Sequence, residues 1–430
     1  MFLWLTNPDL QLGGMILAVI QVTAALPWLF ALDPKGFRNT LRDPKSLGFF
    51  VLAVLLLGEG MAFFTGYRGD STKLGLYGRV YGGILQLQLL IDLFIFAPYF
   101  LTLAFPKAGA VALAAYREGW RQPLFWLVFA FGFCATWVAV VLPYFTFGDD
   151  FKMFKQIGFD IIMLCGLIFG TLASSISISE EIEGRTAITV MSKPISRRSF
   201  LIGKFMGILM ACGALCLLLS LNLTLALVVA PSFDPINEDR AFDPMPMQAK
   251  FGEDGNANNA YVAGGHYGLV QWSSAQMPAG ATRTFTEGAS MWLGESFAHL
   301  LGIVLVFGQI LILVAIATAL ATRLPFVVNL VVVLCVYFFG HLAPVVVRVT
   351  ETSANSQATS SRLIRFLAQT FDTLLPALEF FKMSPAIVRE TPLDLWKFAG
   401  YVATVSGYSL LYTTIALLVG LLLFEDRDLA

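Results

Sequence analysis

Long apolar stretches alternate with shorter polar connections along the whole chain, and this alternation is its dominant pattern. A hydrocarbon core about 30 Å thick is crossed by roughly 20 residues of α-helix. Nine stretches reach that length, which predicts nine transmembrane helices. They cover residues 13–32, 47–66, 80–105, 124–145, 158–178, 200–229, 297–321, 325–346 and 399–424. The pattern therefore predicts an all-α polytopic membrane protein.

Composition indicates the same class of protein. The 430 residues are 57% hydrophobic and only 13% charged, and the mean hydropathy is +0.73. Soluble domains carry about a quarter of charged residues. The formal net charge of −1 offers no basic field that would hold nucleic acid. We therefore expect membrane lipids around the chain and no nucleic-acid partner.

The basic residues in the connections predict the orientation, because Lys and Arg concentrate on the cytoplasmic side of membrane proteins. With the N-terminus outside, the cytoplasmic connections hold 13 Lys and Arg in 62 residues, and the external ones hold 14 in 156. We therefore expect a multi-pass protein of the cytoplasmic (inner) membrane, with its N-terminus outside and its C-terminus in the cytoplasm. The external stretch 347–398 holds six of those external basic residues and argues against this orientation.

Two external connections carry their own pattern. The longest, residues 230–296, is acidic and rich in Gly, Asn, Asp and Pro. Its pieces YGLVQW and TRTFTEG alternate as strands do, which predicts a small external cap; a flexible loop is the alternative. The stretch LLPALEFFKMSPAIV, residues 374–388, is apolar and interrupted by proline. It indicates a pair of short re-entrant helices that close a pore, or a surface-lying amphipathic helix.

The segment SEEIEGRTAITVMSKPISRRSFLIGK, residues 179–204, places eight charges between two apolar spans. Its acidic residues Glu180, Glu181 and Glu183 suit the positive N-terminal end of a short helix. Pro194 disfavours helical geometry at the residue before it and ends that helix. This predicts a short amphipathic helix across the cytoplasmic ends of two spans. The alternative is a charged loop that only sets orientation.

The next helix has its own start signal. Ser196 is suited to cap it, with Arg197 and Arg198 at the level of the lipid head groups and the apolar run SFLIGKFMGILM entering the membrane.

The order of residue types in this segment resembles the coupling-helix region of ABC-2 type transporter permeases. Acidic residues are followed by Gly-Arg-Thr, an apolar stretch, Lys-Pro-Ile-Ser-Arg and Gly-Lys-Phe-x-Gly. The matching residues are Glu180, Glu181, Glu183, Gly184, Arg185, Thr186, Lys193, Pro194, Ser196, Arg197, Gly203, Lys204 and Gly207. AVALAAYREGWRQPLFW is similar to the family's interfacial elbow helix, and FEDRDL is similar to its C-terminal end.

The resemblance implies a permease, in this family mostly an exporter, that pairs with a second copy or a homologous permease. Its energy would come from a separate ABC ATPase subunit. The implied ATPase-coupling residues are Glu180, Glu181, Glu183, Gly184, Arg185, Thr186, Lys193, Pro194, Ser196, Arg197 and Arg198. The resemblance covers residues 107–430, with a coupling region at 179–199 and an external insert at 230–296. Residues 1–106 form a three-span extension before this six-helix core. The subgroup associated with maturation of multicopper enzymes is the most similar.

The chain carries no phosphate-binding loop of the usual kind. Its single Gly-Lys pair, Gly203-Lys204, is followed by Phe205 and lacks the flanking Gly and Ser or Thr. We therefore expect no ATP-binding motif and no cofactor on this chain, with ATP and Mg²⁺ on the partner ATPase. Two other functions stay open. One is an ABC-like complex that transmits ATP-driven motion to an external partner without cargo flux. The other is a membrane-embedded enzyme, although H-E-x-x-H and G-x-S-x-G motifs are absent.

Ionisable residues inside predicted spans are costly and are candidates for function. Glu59 and Asp92 are the clearest, and they predict an intramembrane ion site or two structural residues bonded to neighbouring helices. His266, His299 and His341 lack a His-x-His pattern, so we expect no metal site. Five cysteines lie in apolar runs without a C-x-x-C pair and are interpreted as small apolar packing residues. They are Cys134, Cys165, Cys212, Cys216 and Cys335.

Overall fold

The computed structural model describes residues 7–67, 71–142, 150–183, 196–233, 260–262, 265–352, 366–367, 369–371, 375–387 and 393–425. The helices are α1 (Pro8–Leu32), α2 (Pro34–Arg42), α3 (Pro44–Tyr67), α4 (Ser71–Ala104), α5 (Pro106–Arg121), α6 (Pro123–Val141), α7 (Asp150–Glu183), α8 (Arg197–Val229), α9 (Tyr267–Gln276), α10 (Ala281–Ala321), α11 (Phe326–Thr352), α12 (Ser384–Ile387) and α13 (Leu395–Glu425). The strands are β1 (Ala260–Val262), β2 (Gly265–His266) and β3 (Leu393–Asp394), and 3₁₀ helices cover Ala230–Phe233 and Leu378–Phe381.

The predicted transmembrane helices are confirmed in number and position. Within the described residues, nine helices are long and apolar enough to span a membrane: α1, α3, α4, α6, α7, α8, α10, α11 and α13. Several are longer than predicted. Helix α10 has 41 residues, which at 1.5 Å per residue is about 62 Å, or twice the hydrocarbon thickness. The protein is therefore an all-α polytopic membrane protein whose longest helices extend beyond the apolar layer.

The chain divides into two compact units. The first comprises Met1–Tyr99, Leu221–Leu300 and Arg389–Lys397, and the second comprises Phe100–Ser220, Leu301–Val388 and Phe398–Ala430. Helices α4, α8, α10 and α13 each contribute residues to both units.

Three consecutive helices at the start of the first unit share one local start signal. Asn7, Asp33 and Asp43 each precede a proline, and the proline is the first residue of α1, α2 and α3. Proline suits that position because its fixed φ is helical and it has no N–H to leave unpaired. Each Asn or Asp accepts a backbone hydrogen bond in the first turn, at 3.1, 2.9 and 3.1 Å respectively.

The core of the first unit lies where α4 packs against the first half of α10. A Cβ at Gly82 would lie 2.8 Å from the Ala289 carbonyl, so glycine permits the close approach of the two backbones. Trp292 Nε1 donates to Gln86 Oε1 at 2.7 Å across the same contact. The buried cluster contains Leu17, Leu74, Tyr81, Leu85, Met277, Phe285 and Ala289.

The strands predicted for YGLVQW and TRTFTEG are wrong. YGLVQW lies in α9, and TRTFTEG lies in the first turns of α10. The buried residues here are spaced by three and four, which is the period of a helix face: Thr282, Phe285, Thr286 and Ala289. Within the seven residues TRTFTEG alone, the pattern also fits the alternation of a strand. The strands observed are shorter: β1 pairs antiparallel with β2 and β3. The described part of the insert therefore contains regular elements that differ from the predicted ones.

Helix α5 in the second unit is amphipathic, in agreement with the predicted elbow. Its buried face is made of small residues, Gly109, Ala112, Ala115 and Gly119, while Arg117 on the opposite face is exposed. Small side chains let a neighbouring helix approach closely. This face packs against α8.

The cysteine interpretation is confirmed for the buried thiols. Cys165, Cys212 and Cys216 are fully buried in the second unit and are free thiols. A Cβ added at Gly170 would lie 2.9 Å from Cys212 Sγ, so the sulfur occupies space that the glycine leaves open. These cysteines pack as small apolar side chains.

Candidate functional site: coupling junction and membrane cavity

The predicted coupling residues begin at the end of α7. Glu180, Glu181 and Glu183 lie in the last turns of this helix, which is continuous from Asp150. The prediction that they begin a separate short helix is wrong. The sequence SSISISEEIE contains neither Gly nor Pro, so nothing in it ends the helix before Gly184.

The middle of the predicted coupling segment, residues 184–195, lies outside the described residues. Gly184, Arg185, Thr186, Lys193 and Pro194 belong to this part, and their coupling role stays a prediction.

The predicted cap of the next helix is confirmed. Helix α8 begins at Arg197, and the backbone N–H of Ser199 donates to Ser196 Oγ at 3.1 Å. The serine hydroxyl thus satisfies one of the N–H groups that the first helical turn leaves unpaired. The start of α8 is fixed by the sequence signal that predicted it.

Arg197 holds the start of α8 against the end of α13. Its Nη1 donates to the carbonyl oxygens of Phe424 and Glu425, both at 3.0 Å. Its guanidinium also lies 5.8 Å from the centre of the Phe424 ring. The last carbonyls of a helix have no partner within the helix and carry its negative end, so a cation there is favourable.

A second arginine binds the same helix end. Arg323, in the short connection after α10, donates from Nε to the Leu423 carbonyl at 2.8 Å. Arg198 adds an exposed ion pair with Glu425 at 3.3 Å. The role of Arg323 was not predicted, because its partner is 100 residues away in the sequence. The sequence offered one indication of this contact: an arginine lies in the three-residue connection between two predicted spans, and the last predicted span ends at the start of FEDRDL.

Apolar side chains close the same region. A buried cluster joins the ends of α7, α10 and α13 to the start of α8, and it consists of Ile178, Phe200, Leu201, Ala321 and Phe424. Ser179 Oγ donates to the Ala321 carbonyl at 3.3 Å. We call this cluster, together with Arg197 and Arg323, the coupling junction. It ties four helix ends into one packed group.

The Gly-Lys-Phe-x-Gly part of the motif seats the elbow helix α5 on α8. A Cβ at Gly203 would lie 2.6 Å from the Ala108 carbonyl, so only glycine fits without a shift. Lys204 is buried, and its Nζ donates to Ser177 Oγ at 2.9 Å and to Glu118 Oε2 at 3.4 Å. The lysine therefore links α8 to both α7 and α5. The partners Glu118 and Ser177 were not predicted.

A cavity of about 610 Å³ lies elsewhere in the second unit, between α7, α10, α11 and the two short helices that follow α11. Those short helices, Leu378–Phe381 and α12, confirm that the proline-interrupted stretch forms a pair. Phe381 is buried and occupies the space beside Gly308, where a Cβ would be 2.8 Å from its ring. The pair is held by buried side chains and forms one wall of the cavity. It does not lie as a single surface helix.

Polar and charged groups converge on this cavity. His341 Nδ1 lies 2.9 Å from the Tyr337 carbonyl and its Nε2 lies 3.3 Å from Gln309 Nε2. A carbonyl only accepts, so Nδ1 carries the proton and Nε2 accepts from the Gln309 amide. Asp160 and Lys382 also line the cavity.

No hydrogen bond among the described residues joins the two predicted intramembrane carboxyl groups, Glu59 and Asp92. Asp92 is buried on α4 and neither of its carboxyl oxygens has a hydrogen-bond partner there. Glu59 is half-buried on α3, and its Oε2 also lacks a partner. An ion site at these residues stays a prediction.

The histidines do not gather into a metal site. No group of three metal-ligating side chains occurs in the described part of the chain. His299 is instead buried in the first unit between Glu295, at 3.1 Å, and Thr224 Oγ1, at 3.1 Å.

Comparison with known proteins agrees with these features. No curated protein matches the chain. A sequence model of the ABC-2 family of transporter proteins matches residues 31–429, which includes the coupling junction, the elbow and the cavity. The match does not distinguish subgroups, so the similarity to the multicopper subgroup stays a prediction. The chain belongs to the ABC-2 transporter family and is a multi-pass membrane permease subunit of an ABC transporter.

Proposed function

We propose that this chain is the membrane permease of an ATP-driven exporter and is coupled to a separate ATPase through residues 179–199. ATP and Mg²⁺ would bind only to the ATPase, and this chain would carry no cofactor of its own. A second permease, either another copy or a homologue, would complete the transport path. Cytoplasmic placement of residues 179–199 is part of the proposal, with the N-terminus outside and the C-terminus in the cytoplasm.

The coupling junction is the observation that supports this function best. Residues 184–195 connect α7 to α8 directly, so a partner that moves them moves the ends of both helices. Arg197 then carries the motion to α13 through two hydrogen bonds, and Phe200 and Leu201 carry it to α10 through buried contacts. Close-packed contacts transmit strain because they have little room to deform. A displacement at one point would therefore reach four membrane helices.

The experiment is a charge reversal in the last turns of α7. We expect Glu180→Lys with Glu183→Lys to abolish copurification with the partner ATPase, or to abolish stimulation of its ATP hydrolysis by the permease. Truncation of one anchor at a protein interface costs about 2 kcal/mol or more, and reversal of two charges adds repulsion. The matched control reverses two acidic residues of the external insert, Glu238→Lys with Asp239→Lys, which should leave both readouts unchanged. A cytoplasmic double variant that binds and stimulates the ATPase normally would remove the coupling assignment.

Orientation is tested separately by cysteine labelling of intact cells. Engineered cysteines at Asn256 and Ser356 should react with an impermeant reagent, and those at Thr189 and Asn39 should not. Labelling at Thr189 from outside would reverse the proposed topology.

A further inference from the structure

The cavity of the second unit has the size of a ligand site. Its volume of about 610 Å³ falls within the range of roughly 300 to 1,000 Å³ that small-molecule sites occupy. Three spanning helices and the pair of short helices surround it, and buried Phe381 and Met383 form part of its wall. Most of the wall therefore lies on regular elements, and Lys382 and Met383 lie in the connection between the two short helices.

Two opposite charges line this space without a hydrogen-bonded or ion-paired partner among the described residues. Asp160 on α7 and Lys382 between the short helices both line the cavity, and Lys382 is close enough to act electrostatically on the Asp160 carboxylate. Neither side chain makes a hydrogen bond or ion pair among the described residues. The adjacent pair Arg348–Glu379, in contrast, is closed at 2.9 Å. Both side chains are exposed on the cavity wall, so their charged groups are accessible to a ligand.

The remaining polar groups argue against a metal ion as that ligand. Both ring nitrogens of His341 are engaged, by the Tyr337 carbonyl and the Gln309 amide. Asp160 is then the one carboxylate among the described residues that line the cavity, and a divalent cation needs several oxygen or nitrogen ligands. An ammonium group needs less, because it can donate directly to a single carboxylate.

One side of the cavity is apolar and open to the surroundings of the spans. Leu164, Phe338 and Leu342 line it and are 39%, 59% and 39% exposed, although all three lie in membrane-spanning helices. Exposed apolar side chains on such helices face lipid. Leu164 lies one helical turn beyond Asp160, so the charged end and the lipid-facing end belong to the same wall.

We propose that this cavity binds a zwitterionic phospholipid through its phosphoethanolamine head group. The ammonium donates to the Asp160 carboxylate, the phosphate accepts from the Lys382 ammonium, and an acyl chain lies along Leu164, Phe338 and Leu342. One molecule thus compensates both charges and covers the apolar wall. The binding does not depend on the proposed export function, so the two fail independently.

The test is lipid competition on the purified full-length chain in nanodiscs that contain equal amounts of phosphatidylethanolamine and phosphatidylglycerol. Protein-bound lipids are quantified by native mass spectrometry. We expect the unmodified chain to retain phosphatidylethanolamine about five- to tenfold over phosphatidylglycerol, since a charge-assisted hydrogen bond contributes about that factor. Phosphatidylglycerol has no ammonium group, so Asp160 gives it no attraction.

The variants decide whether the cavity causes the preference. Asp160→Asn should bring the ratio close to one, whereas Lys382→Gln should lower the retained amount of both lipids, because both carry the phosphate. Lys397→Gln, an exposed lysine outside the cavity, should change neither the ratio nor the amounts. An Asp160→Asn ratio equal to that of the unmodified chain, or lipid retention that Lys382→Gln leaves unchanged, would overturn the proposal. Free glycerophosphoethanolamine provides the last arm: if it displaces the lipid at equal concentration, the ligand is a soluble head group and the acyl-chain contact is wrong. Thermal unfolding of each variant shows that it is folded.

Discussion

Two charged regions of the second unit differ in what their charges contact. At and beside the coupling junction, Arg197 and Arg323 bind helix-end carbonyls and Lys204 binds Glu118 and Ser177. In the cavity, Asp160 and Lys382 make no such bond among the described residues. The same chain therefore uses charge in two ways within one compact unit.

The difference indicates two different tasks. A charge that donates to backbone carbonyls of another helix fixes the distance between the two helices, which suits transmission of motion. An exposed charge that makes no bond to the protein stays accessible to a ligand and contributes little to stability. Charge substitutions should therefore reduce stability near the junction and leave it unchanged in the cavity.

The largest expected effect is at Lys204. Lys204→Met keeps the length of the side chain but removes the donor to buried Ser177, and we expect a loss of about 2 kcal/mol in the free energy of unfolding. The exposed Lys107→Met on the elbow helix is the matched control and should change little. Thermal or denaturant unfolding in detergent measures both.

The two partners of Lys204 should not contribute equally. The Ser177 bond is 2.9 Å long, whereas the Glu118 bond is 3.4 Å and its carboxylate is 47% exposed. Solvent screening weakens the second contact. Ser177→Ala should therefore destabilise the protein more than Glu118→Gln, and the reverse order would mean that the ion pair is the main contact.

The spans and the start of α8 could be predicted from sequence because their signals are local. Twenty apolar residues specify a spanning helix, and Ser196 before an apolar run specifies a cap. The error at Glu180 and Glu183 has a local cause as well: acidic residues favour a helix start, but a helix already in progress continues until a residue such as glycine stops it. The error at TRTFTEG arose because seven residues are too few to separate a period of two from one of 3.6.

The partners across the junction and the cavity could not be predicted from sequence. Arg197 lies 227 residues from Phe424, and Lys204 lies 86 from Glu118. Nothing in the local pattern says which helix ends meet. The cavity depends in the same way on how three spans and two short helices pack. The resemblance to the family identified the Gly-Lys-Phe-x-Gly motif. Only the contacts in the structure, those of Gly203 with α5 and of Lys204 with α5 and α7, explain why these two residues belong to it.

A smaller effect is expected at Arg197. Arg197→Gln removes the cation that binds the end of α13, and we expect a loss of about 1 to 2 kcal/mol. Arg198→Gln is the matched control, because the Arg198–Glu425 pair is 70% and 53% exposed and such pairs contribute about 0 to 1 kcal/mol. Equal unfolding temperatures for the two variants would contradict the assigned difference between the neighbouring arginines.

The cavity charges should have almost no effect on stability. Asp160→Asn and Lys382→Gln remove exposed charges that make no hydrogen bond or ion pair among the described residues, so each should shift the free energy of unfolding by less than about 0.5 kcal/mol. The measurement is the same unfolding assay used for Lys204→Met. A loss above about 1 kcal/mol in lipid-free detergent would show that these charges serve the fold, and the contrast between the two regions would then disappear.

The smallest effect is expected at Asp43, whose carboxylate is hydrogen-bonded but fully exposed. It therefore adds a third case to the comparison between the bonded charges of the coupling junction and the unbonded charges of the cavity. The Ser46 hydroxyl donates to this carboxylate at 2.6 Å and the Ser46 N–H at 3.1 Å, and these bonds hold the pKa of Asp43 below its ordinary value. Since the folded pKa is the lower one, the cap is fully effective above the unfolded pKa of about 4 and is lost as pH falls through the folded value. Hydrogen exchange at the first turn of α3, corrected for intrinsic rates, should lose protection only in that acidic window. Ser46→Ala should move the loss to higher pH, and Asp43→Asn should remove the pH dependence. Loss of protection at neutral pH would mean that Asp43 is not the cap.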